Sequence, residues 1–258
     1  MTSIIPIPAF TDNYIWLLRD GGSAAVVDPG DEDPVLAYLA LHGLALTAIL
    51  TTHHHPDHVG GVAALLERHA VPVFGPGSEK IPGRTHVVGE GSVVQVPGLP
   101  VTFTGIDVPG HTAGHIAYFG DVGGTPSLFC GDTLFAGGCG RLFEGTPAQM
   151  WASLSALARL PASTRVYCAH EYTLANLEFA LAVEPGNAEL RARKAAEAAK
   201  RARAEPTVPS TIGVERATNP FLRAAVPAVR AAAERHAGRA LAADVDAFAE
   251  LRAWKNAF

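Results

Sequence analysis

Apolar and polar residues follow two different patterns along the chain. Up to about residue 170 the apolar residues form short runs separated by Gly and Pro, which is the pattern of β-strands. The predicted strands are Ile15–Leu18, Ala24–Asp28, Ala48–Thr52, Val71–Gly75, Val93–Val96, Val101–Val108, Ala117–Gly120, Ser127–Cys130 and Arg165–Ala169. The predicted helices among them are Asp33–His42, Val59–Ala70 and Thr146–Leu160. Strands and helices mixed in this order favour a layered α/β fold.

After His170 the pattern changes to helical periodicity. The predicted helices are Leu174–Glu184, Asn187–Glu205, Pro227–Ala237 and Asp244–Trp254, and two prolines near residue 208 separate the second from the third. We therefore expect two domains, a first one over residues 1–170 and a small helical one over residues 171–258.

Charge differs between these two parts. Residues 1–170 contain 7 basic and 14 acidic residues, whereas residues 171–258 contain 13 basic and 11 acidic residues. The C-terminal part therefore favours an anionic substrate. The net charge of −5 over the whole chain indicates neither a nucleic-acid partner nor a membrane surface.

The cysteine count indicates the redox environment in which the protein acts. Three cysteines, Cys130, Cys139 and Cys168, form no disulfide framework and predict a reducing environment. The N-terminal residues lack the pattern of a signal peptide, and no run of apolar residues is long enough to predict a membrane span. We expect a cytoplasmic protein.

The densest chemistry lies in the run Thr52-His53-His54-His55-Pro56-Asp57-His58. Residues two apart in an extended segment point the same way, so His53 and His55 can converge on one metal ion. Asp57 and His58 follow where a helix is predicted to begin, and they can serve a second ion. His54 and His115 are expected to hydrogen-bond around the ligands rather than to bind metal.

Three more candidate ligands, His111, Asp132 and His170, each follow an apolar run that is predicted to be a strand. The expected first site takes His53, His55 and His111, and the second takes Asp57, His58 and His170. Asp132 can bridge two ions because a carboxylate has two oxygens. Imidazole and carboxylate ligands suit Zn, with Fe or Mn as alternatives. Two ions at such a site lie about 3.5–4 Å apart.

Several motifs resemble one family. The run at 52–58 resembles the T-H-x-H-x-D-H signature of the metallo-β-lactamase superfamily. Four further segments resemble glyoxalase II, the hydroxyacylglutathione hydrolases. They are P-G-H-T-A-G-H at 109–115, G-D-T-L-F-A-G-G-C-G-R at 131–141, A-H-E-Y-T-L-A-N-L at 169–177 and E-R-A-T-N-P-F-L-R at 215–223. The resemblance extends over nearly the whole chain.

This resemblance implies a four-layer αβ/βα sandwich followed by a helical domain. It also implies the two ligand sets above, hydrolysis of S-D-lactoylglutathione to D-lactate and glutathione, and a carboxylate near the metals, Asp28, that is not a ligand. The implied glutathione-binding residues are Arg141, Tyr172, Arg252 and Lys255. The chain departs from the family twice. Arg141 stands where members often have Lys, and Phe143 stands where some have Tyr.

The mechanism that these residues suggest is attack of a metal-bridging hydroxide on the thioester carbonyl, with the thiolate leaving unassisted because a thiol pKa is about 8.5. Asp132 and Asp57 are the catalytic carboxylates in this hypothesis. Asp57 acts primarily as a ligand, and proton acceptance is a secondary role. We expect a monomer that acts on a small-molecule glutathione thioester.

Four alternatives stay open at this point. They are a thioesterase for another thiol carrier, a persulfide dioxygenase with a single iron, a nuclease of the same superfamily, and a metal-binding protein without enzymatic activity. A strongly basic metal-bearing domain, which a nuclease would need, is absent from the sequence.

Overall fold

The computed structural model describes all residues, 1–258. The chain forms two compact units that interleave along the sequence. Unit 1 comprises Met1–Val108, Ala113–Gly131 and Tyr167–His170, and unit 2 comprises Pro109–Thr112, Asp132–Val166 and Glu171–Phe258. Unit 2 therefore includes residues that precede position 171.

Unit 1 contains a six-stranded sheet with its strands in sequence order. These strands are β1 (Ser3–Ala9), β2 (Asn13–Asp20), β3 (Ser23–Val27), β4 (Ala45–Leu50), β5 (Val73–Pro76) and β6 (His86–Val88). β1 to β3 are antiparallel, and β3 to β6 run parallel. Parallel neighbours need a crossover, which α1 (Glu32–His42) supplies between β3 and β4, and α2 (Pro56–Val59) and α3 (Val62–Arg68) supply between β4 and β5. Buried side chains such as Val26, Ile49 and Leu65 form the core of this part.

A second set of strands in unit 1 is antiparallel. It consists of β7 (Val93–Gln95), β8 (Thr102–Asp107), β9 (Ile116–Val122) and β10 (Thr125–Gly131), and β13 (Arg165–Cys168) lies next to β10. Aromatic rings pack on this sheet, since Phe129 lies 5.5 Å from Phe103 and 5.0 Å from Tyr167 between ring centroids.

The helix that we predicted over Val59–Ala70 is wrong in its bounds. The structure has two helices, α2 and α3, which are interrupted at Gly60 and Gly61. A Cβ on Gly60 would lie 2.5 Å from the carbonyl oxygen of Gly30, so this close backbone approach requires glycine. Asp57 and His58 consequently lie inside a four-residue helix that begins at Pro56.

Unit 2 is mainly helical. Its helices are α4 (Pro147–Leu157), α5 (Thr173–Val183), α6 (Ala188–Ala202), α7 (Ile212–Thr218), α8 (Pro227–Ala237) and α9 (Asp244–Ala257). The strands β11 (Leu134–Phe135) and β12 (Gly138–Cys139) form a hairpin, and β14 (Ser210–Thr211) pairs with Arg165 and Val166. No helix of the structure has both the length and the apolar character needed to span a lipid bilayer.

The sequence pattern did not predict every element. β1 was missed because Pro6 and Pro8 argue against a strand, and it occupies the edge of its sheet, where proline is tolerated. The helix α7 was also missed because its seven residues are too few to show helical periodicity.

Candidate active site

Asp28 organises the histidines of unit 1. It lies just after β3 with a left-handed backbone (φ 53°) and is buried. Its carboxylate accepts hydrogen bonds from the backbone N–H and the hydroxyl of Thr52, both at 2.7 Å, and lies 3.1 Å from His58 Nδ1. Because a carboxylate can only accept, His58 carries its proton on Nδ1 and its lone pair on Nε2.

The hydrogen bonds of Thr52 likewise fix the tautomer of His53. The Thr52 hydroxyl donates to Asp28, so it accepts from His53 Nδ1 at 3.1 Å. His53 Nε2 then lies 3.1 Å from His55 Nδ1. Two nitrogen ligands of one tetrahedral zinc ion would be about 3.3 Å apart, given Zn–N bonds of about 2.0–2.1 Å. This separation fits a metal shared by the two rings.

A second group of ligand atoms in unit 1 comes from Asp57, His58 and His170, and these atoms all lie within 4.8 Å of one another. Asp57 Oδ2 is 3.5 Å from His58 Nε2 and 3.4 Å from His170 Nε2. His170 Nδ1 is 2.8 Å from Asp12 Oδ1, which again places the lone pair on Nε2.

The pKa of Asp57 is well below its ordinary value. Partial burial acts to raise this pKa, but contacts with His170 and His58, and the amide of Asn13 that donates to Oδ2 at 3.0 Å, outweigh the burial. Asp57 is therefore ionised at neutral pH, as a metal ligand must be.

Unit 1 thus brings together five of the seven predicted metal ligands, and we call this group the histidine cluster. Its members are His53, His55, Asp57, His58 and His170. Neither Asp12 nor Asn13 was predicted, and the only signal for them was a polar stretch between two apolar runs.

The two histidines that we expected outside the ligand set have other partners. His54 Nδ1 lies 3.0 Å from the carboxylate of Glu79. His115 stacks on His53 at 4.5 Å between ring centroids, and its Nδ1 lies 3.0 Å from the carbonyl oxygen of Ile116. Both contacts agree with roles in holding the surrounding chain.

The other two predicted ligands lie in unit 2 and meet there. His111 Nε2 is 3.5 Å from Asp132 Oδ2. His111 Nδ1 donates to the carbonyl oxygen of Arg141 at 2.9 Å, so Nε2 carries the lone pair. The ring of Phe143 packs edge-on against His111 at 5.2 Å.

His111 and Asp132 line a pocket of about 580 Å³ in unit 2, a size that suits a small organic ligand. We call it the cationic pocket, because three of its side chains are basic. Its lining also contains all four predicted glutathione-binding residues. The lining residues are His111, Asp132, Phe135, Cys139, Arg141, Phe143, Tyr172, Ala175, Asn176, Arg252, Lys255, Asn256 and Phe258.

The basic residues of the cationic pocket differ in their surroundings. Arg141 is exposed, whereas Arg252 is buried, donates to the carbonyl oxygen of Cys139 at 2.7 Å and lies over the ring of Phe221. Lys255 is half-buried and donates to a backbone carbonyl at 3.2 Å. Burial, followed by the charges of Arg252 and Arg141, lowers the pKa of Lys255.

Cys139 is the only cysteine in the lining of the cationic pocket. Burial raises the pKa of its thiol to about 11, although Arg252 acts in the opposite direction. A thiol with this pKa is a poor nucleophile at neutral pH, so Cys139 contributes packing rather than chemistry.

The donor chemistry of both units fits a divalent metal. In each unit, imidazole rings whose Nδ1 is held by an acceptor present Nε2 beside a carboxylate oxygen. This arrangement of carboxylate, carbonyl and histidine is the usual support of a metal-bound imidazole. The histidine and aspartate clusters, together with the fold, support divalent metal binding.

Comparison with known families gives two matches. Residues 9–170 match the model of the metallo-beta-lactamase superfamily, and residues 171–258 match the hydroxyacylglutathione hydrolase C-terminus. A hydroxyacylglutathione hydrolase of Cupriavidus taiwanensis is 58% identical over 266 residues, with 100% of each chain covered. The chain belongs to the hydroxyacylglutathione hydrolase family of the metallo-β-lactamase superfamily. The hydroxyacylglutathione hydrolase of Alkalilimnicola ehrlichii is 59% identical over 258 residues, with 99% of each chain covered.

Solved structures show the same fold. ETHE1 from Myxococcus xanthus has a TM-score of 0.64 at 26% identity, covering 86% of this chain and 84% of its own. TTHA1623, in a di-iron-bound form, has a TM-score of 0.59 at 28% identity, covering 85% of this chain and 100% of its own. The expected fold class is confirmed as a mixed α/β metallo-β-lactamase fold with two sheets, followed by the C-terminal helical domain of the hydroxyacylglutathione hydrolases.

Proposed function

We propose that this protein hydrolyses the thioester of S-D-lactoylglutathione and related 2-hydroxyacylglutathiones to a 2-hydroxy acid and glutathione. One observation carries the proposal. The cationic pocket places the metal-type donors His111 and Asp132 in the same lining as Arg141, Arg252 and Lys255. Glutathione has two carboxylates, so a basic wall can hold the tripeptide while its thioester lies at the metal donors. Membership of the family supports the same substrate.

We propose two divalent ions per chain, with Zn²⁺ as the first expectation and Fe or Mn as alternatives. The first would be held by His53, His55 and His111 and the second by Asp57, His58 and His170, with Asp132 bridging. The donor sets within each unit support this assignment, since each pairs imidazole nitrogens or carboxylate oxygens at 3.1–3.5 Å. When bound, such ions act as Lewis acids and lower the pKa of a coordinated water to about 7.

The chain's own residues prepare this chemistry. Asp28, Asp12 and the Arg141 carbonyl fix the tautomers of His58, His170 and His111, so no ring has to reorient when the metal binds. The low pKa of Asp57 keeps it ionised, so it serves as a ligand rather than as an acid. The departing glutathione thiolate has a parent pKa of about 8.5 and needs no dedicated proton donor.

We propose that residues 1–170 form the catalytic domain and residues 171–258 the glutathione-binding domain. Arg141 and Lys255 would pair with the glutathione carboxylates, and the Tyr172 hydroxyl would donate to the peptide. Arg252, which also donates to the carbonyl oxygen of Cys139, would be a further glutathione contact. Three cysteines are too few, and odd in number, for a disulfide framework, which favours a reducing compartment such as the cytoplasm. We propose a monomer acting on a small molecule, with neither nucleic acid nor membrane as a partner.

A panel of thioesters tests the proposal. Metal-replete protein should hydrolyse S-D-lactoylglutathione with a kcat/KM at least about 100-fold above that for lactoyl-coenzyme A. The reverse preference would show a thioesterase for another carrier. Oxygen consumption with glutathione persulfide, at one iron per chain, would show a dioxygenase instead. Absence of hydrolysis by metal-replete protein would overturn the proposal.

A further inference from the structure

The hairpin formed by β11 and β12 connects two parts of the proposed active site. Leu134 pairs with Cys139, and Phe135 pairs with Gly138, so Ala136 and Gly137 form the turn. Asp132 lies two residues before this hairpin and Arg141 two residues after it. Both line the cationic pocket. The position of the hairpin therefore affects a proposed metal ligand and a proposed glutathione contact together.

Buried side chains from three helices hold the backbone of this hairpin. The N–H of Gly137 donates to Glu215 Oε2 at 2.8 Å. Asn219 Nδ2 donates to the carbonyl oxygens of Phe135 at 3.2 Å and Gly138 at 2.9 Å. Asn176 and Arg252 donate to the carbonyl oxygens of Ala136 and Cys139. Glu215 is the acceptor among these four side chains, and the other three are donors.

The two carboxylate oxygens of Glu215 accept hydrogen bonds from different groups. Oε1 accepts from Arg193 Nη2 at 2.6 Å and from the hydroxyl of Ser210. Oε2 accepts from the N–H of Gly137 and from Asn219 Nδ2 at 3.0 Å. Glu215 is fully buried, and a buried charge is tolerated only when it is paired and hydrogen-bonded in this way.

Movement of the hairpin would be passed on to the ligands. A Cβ on Gly140 would lie 2.0 Å from the carbonyl oxygen of Asp132 and 3.0 Å from His111 Nδ1, so the backbone after the hairpin is in tight contact with both residues. The next residue, Arg141, accepts the hydrogen bond from His111 Nδ1. A shift of the hairpin would therefore move the carbonyl that holds His111 Nδ1.

We propose that Glu215, together with Asn219, is a positioning pair that fixes the β11–β12 hairpin and through it Asp132, Arg141 and the ring of His111. These two residues lie in the segment E-R-A-T-N-P-F-L-R, to which the metal and pocket assignments give no role. The kinetic part of this inference rests on the proposed function, whereas its effect on the hairpin and on metal retention does not.

The main test variant is Glu215→Gln. If its amide oxygen stays with Arg193 and Ser210, its NH₂ group faces the N–H of Gly137 and the NH₂ of Asn219, and donors then oppose donors. If the amide is turned, NH₂ opposes the guanidinium of Arg193. Asn219→Ser is a second variant that removes the donors to Phe135 and Gly138. Val229→Ala, in the buried face of α8, is the control for a general loss of stability in unit 2.

Hydrogen exchange, metal retention and kinetics are measured on all three variants and on the wild type. We expect Glu215→Gln and Asn219→Ser to melt cooperatively and to exchange the amides of residues 132–141 at least about tenfold faster. Metal loss to a chelator should accelerate by about 10- to 100-fold, the effect of removing an outer support of a metal ligand. With S-D-lactoylglutathione, kcat should fall and KM should rise. Val229→Ala should lower the melting temperature without any of these changes.

Three results would overturn the inference. One is unchanged exchange of residues 132–141 in Glu215→Gln. Another is that Val229→Ala accelerates amide exchange and metal loss as much as Glu215→Gln does when the two variants have the same melting temperature. The third is loss of cooperative folding in both Glu215→Gln and Asn219→Ser. This result would show that the pair stabilises the whole fold rather than the position of the hairpin. If the wild type failed to hydrolyse the thioester, exchange and metal retention would still decide the question.

Discussion

The histidine cluster and the cationic pocket present polar side chains in opposite ways. In the histidine cluster the rings of His53, His58 and His170 are buried, and a neighbouring oxygen fixes the tautomer of each. In the cationic pocket Arg141 and Tyr172 are exposed, and Lys255 is half-buried. The contrast shows that the metal donors are held in position before any ligand binds, whereas the exposed or half-buried side chains of Arg141, Tyr172 and Lys255 can adapt to a substrate. Changes at the metal donors, which include His111 and Asp132 of the cationic pocket, should therefore affect kcat and metal content, whereas changes at Arg141, Tyr172 and Lys255 should affect KM.

The largest effect should come from Asp132→Ala. It removes the proposed bridging ligand, and loss of metal stabilisation worth several kcal/mol lowers kcat/KM by at least about 10³-fold. Metal content measured on the same sample should fall as well. Asp107→Ala, at an exposed carboxylate on β8, is the matched control and should leave both unchanged. Retention of full activity and metal by Asp132→Ala would contradict the two-metal assignment.

A smaller loss is expected from Asp28→Asn, which tests whether the histidine cluster is held in advance. The new NH₂ group would oppose the Thr52 N–H in one orientation, or the His58 Nδ1–H and the Thr52 hydroxyl in the other. Metal affinity should fall about 10- to 100-fold, as for other outer supports of metal ligands, while KM changes little. Competition with a chelator measures the affinity. Glu79→Gln, which contacts His54 rather than a proposed ligand, should show less than a twofold change.

For the cationic pocket, Arg141→Ala and Lys255→Ala should each raise KM about tenfold and leave kcat within about twofold. An ionic hydrogen bond to a substrate carboxylate is worth about 1.5–3 kcal/mol, and solvent exposure reduces that value. Steady-state kinetics with S-D-lactoylglutathione provide the measurement, and Lys200→Ala on α6 is the control. A fall in kcat at unchanged KM would show that the contrast between the two regions is wrong.

The lowered pKa of Lys255 predicts a pH dependence of KM. The ammonium binds a carboxylate only below its pKa, so KM should rise as the pH increases through that value. Because burial, Arg252 and Arg141 lower this pKa, the rise should begin at a less alkaline pH than an ordinary lysine would give. Lys255→Arg, which keeps its charge, should move the rise to higher pH. An identical pH profile for both proteins would exclude Lys255 from binding the substrate.

The smallest effect should come from Phe143→Tyr. Phe143 lines the cationic pocket and is 64% exposed, so an added hydroxyl has room and can reach a bound peptide. One further hydrogen bond of about 0.5–1.5 kcal/mol should lower KM about two- to tenfold at constant kcat. A KM equal to or above that of the wild type would show that the position does not contact the substrate.

The two regions also differ in how well the sequence predicts them. The run at 52–58 identified four candidate ligands, His53, His55, Asp57 and His58, because ligands close in sequence must be close in space. Asp12 and Asn13, which contact His170 and Asp57, gave no such signal, because a short polar stretch between two apolar runs is common. Asp28 was predicted only through the family resemblance, and the structure places it against His58.

The surroundings of the pocket residues were predicted less completely, because helical spacing does not determine how deeply each side chain is buried. Arg252 and Lys255 are three residues apart on α9, so helical spacing predicted one shared face. The structure buries Arg252 against Cys139 and leaves Lys255 half-buried, because tertiary packing rather than spacing decides how deep each side chain lies. Most of the longer strands and helices were predicted, whereas the break at Gly60, the proline-containing β1, the short helix α7 and the short strands β6, β11, β12 and β14 were missed. The division at residue 170 stays a prediction.

Metal titration of the apoprotein tests the central claim most directly. Activity toward S-D-lactoylglutathione is followed while Zn²⁺ is added to protein of known concentration, and bound metal is determined at each point. We predict that activity rises until two equivalents are bound per chain and then stays constant. Full activity at one equivalent, or hydrolysis by the metal-free protein, would contradict the account.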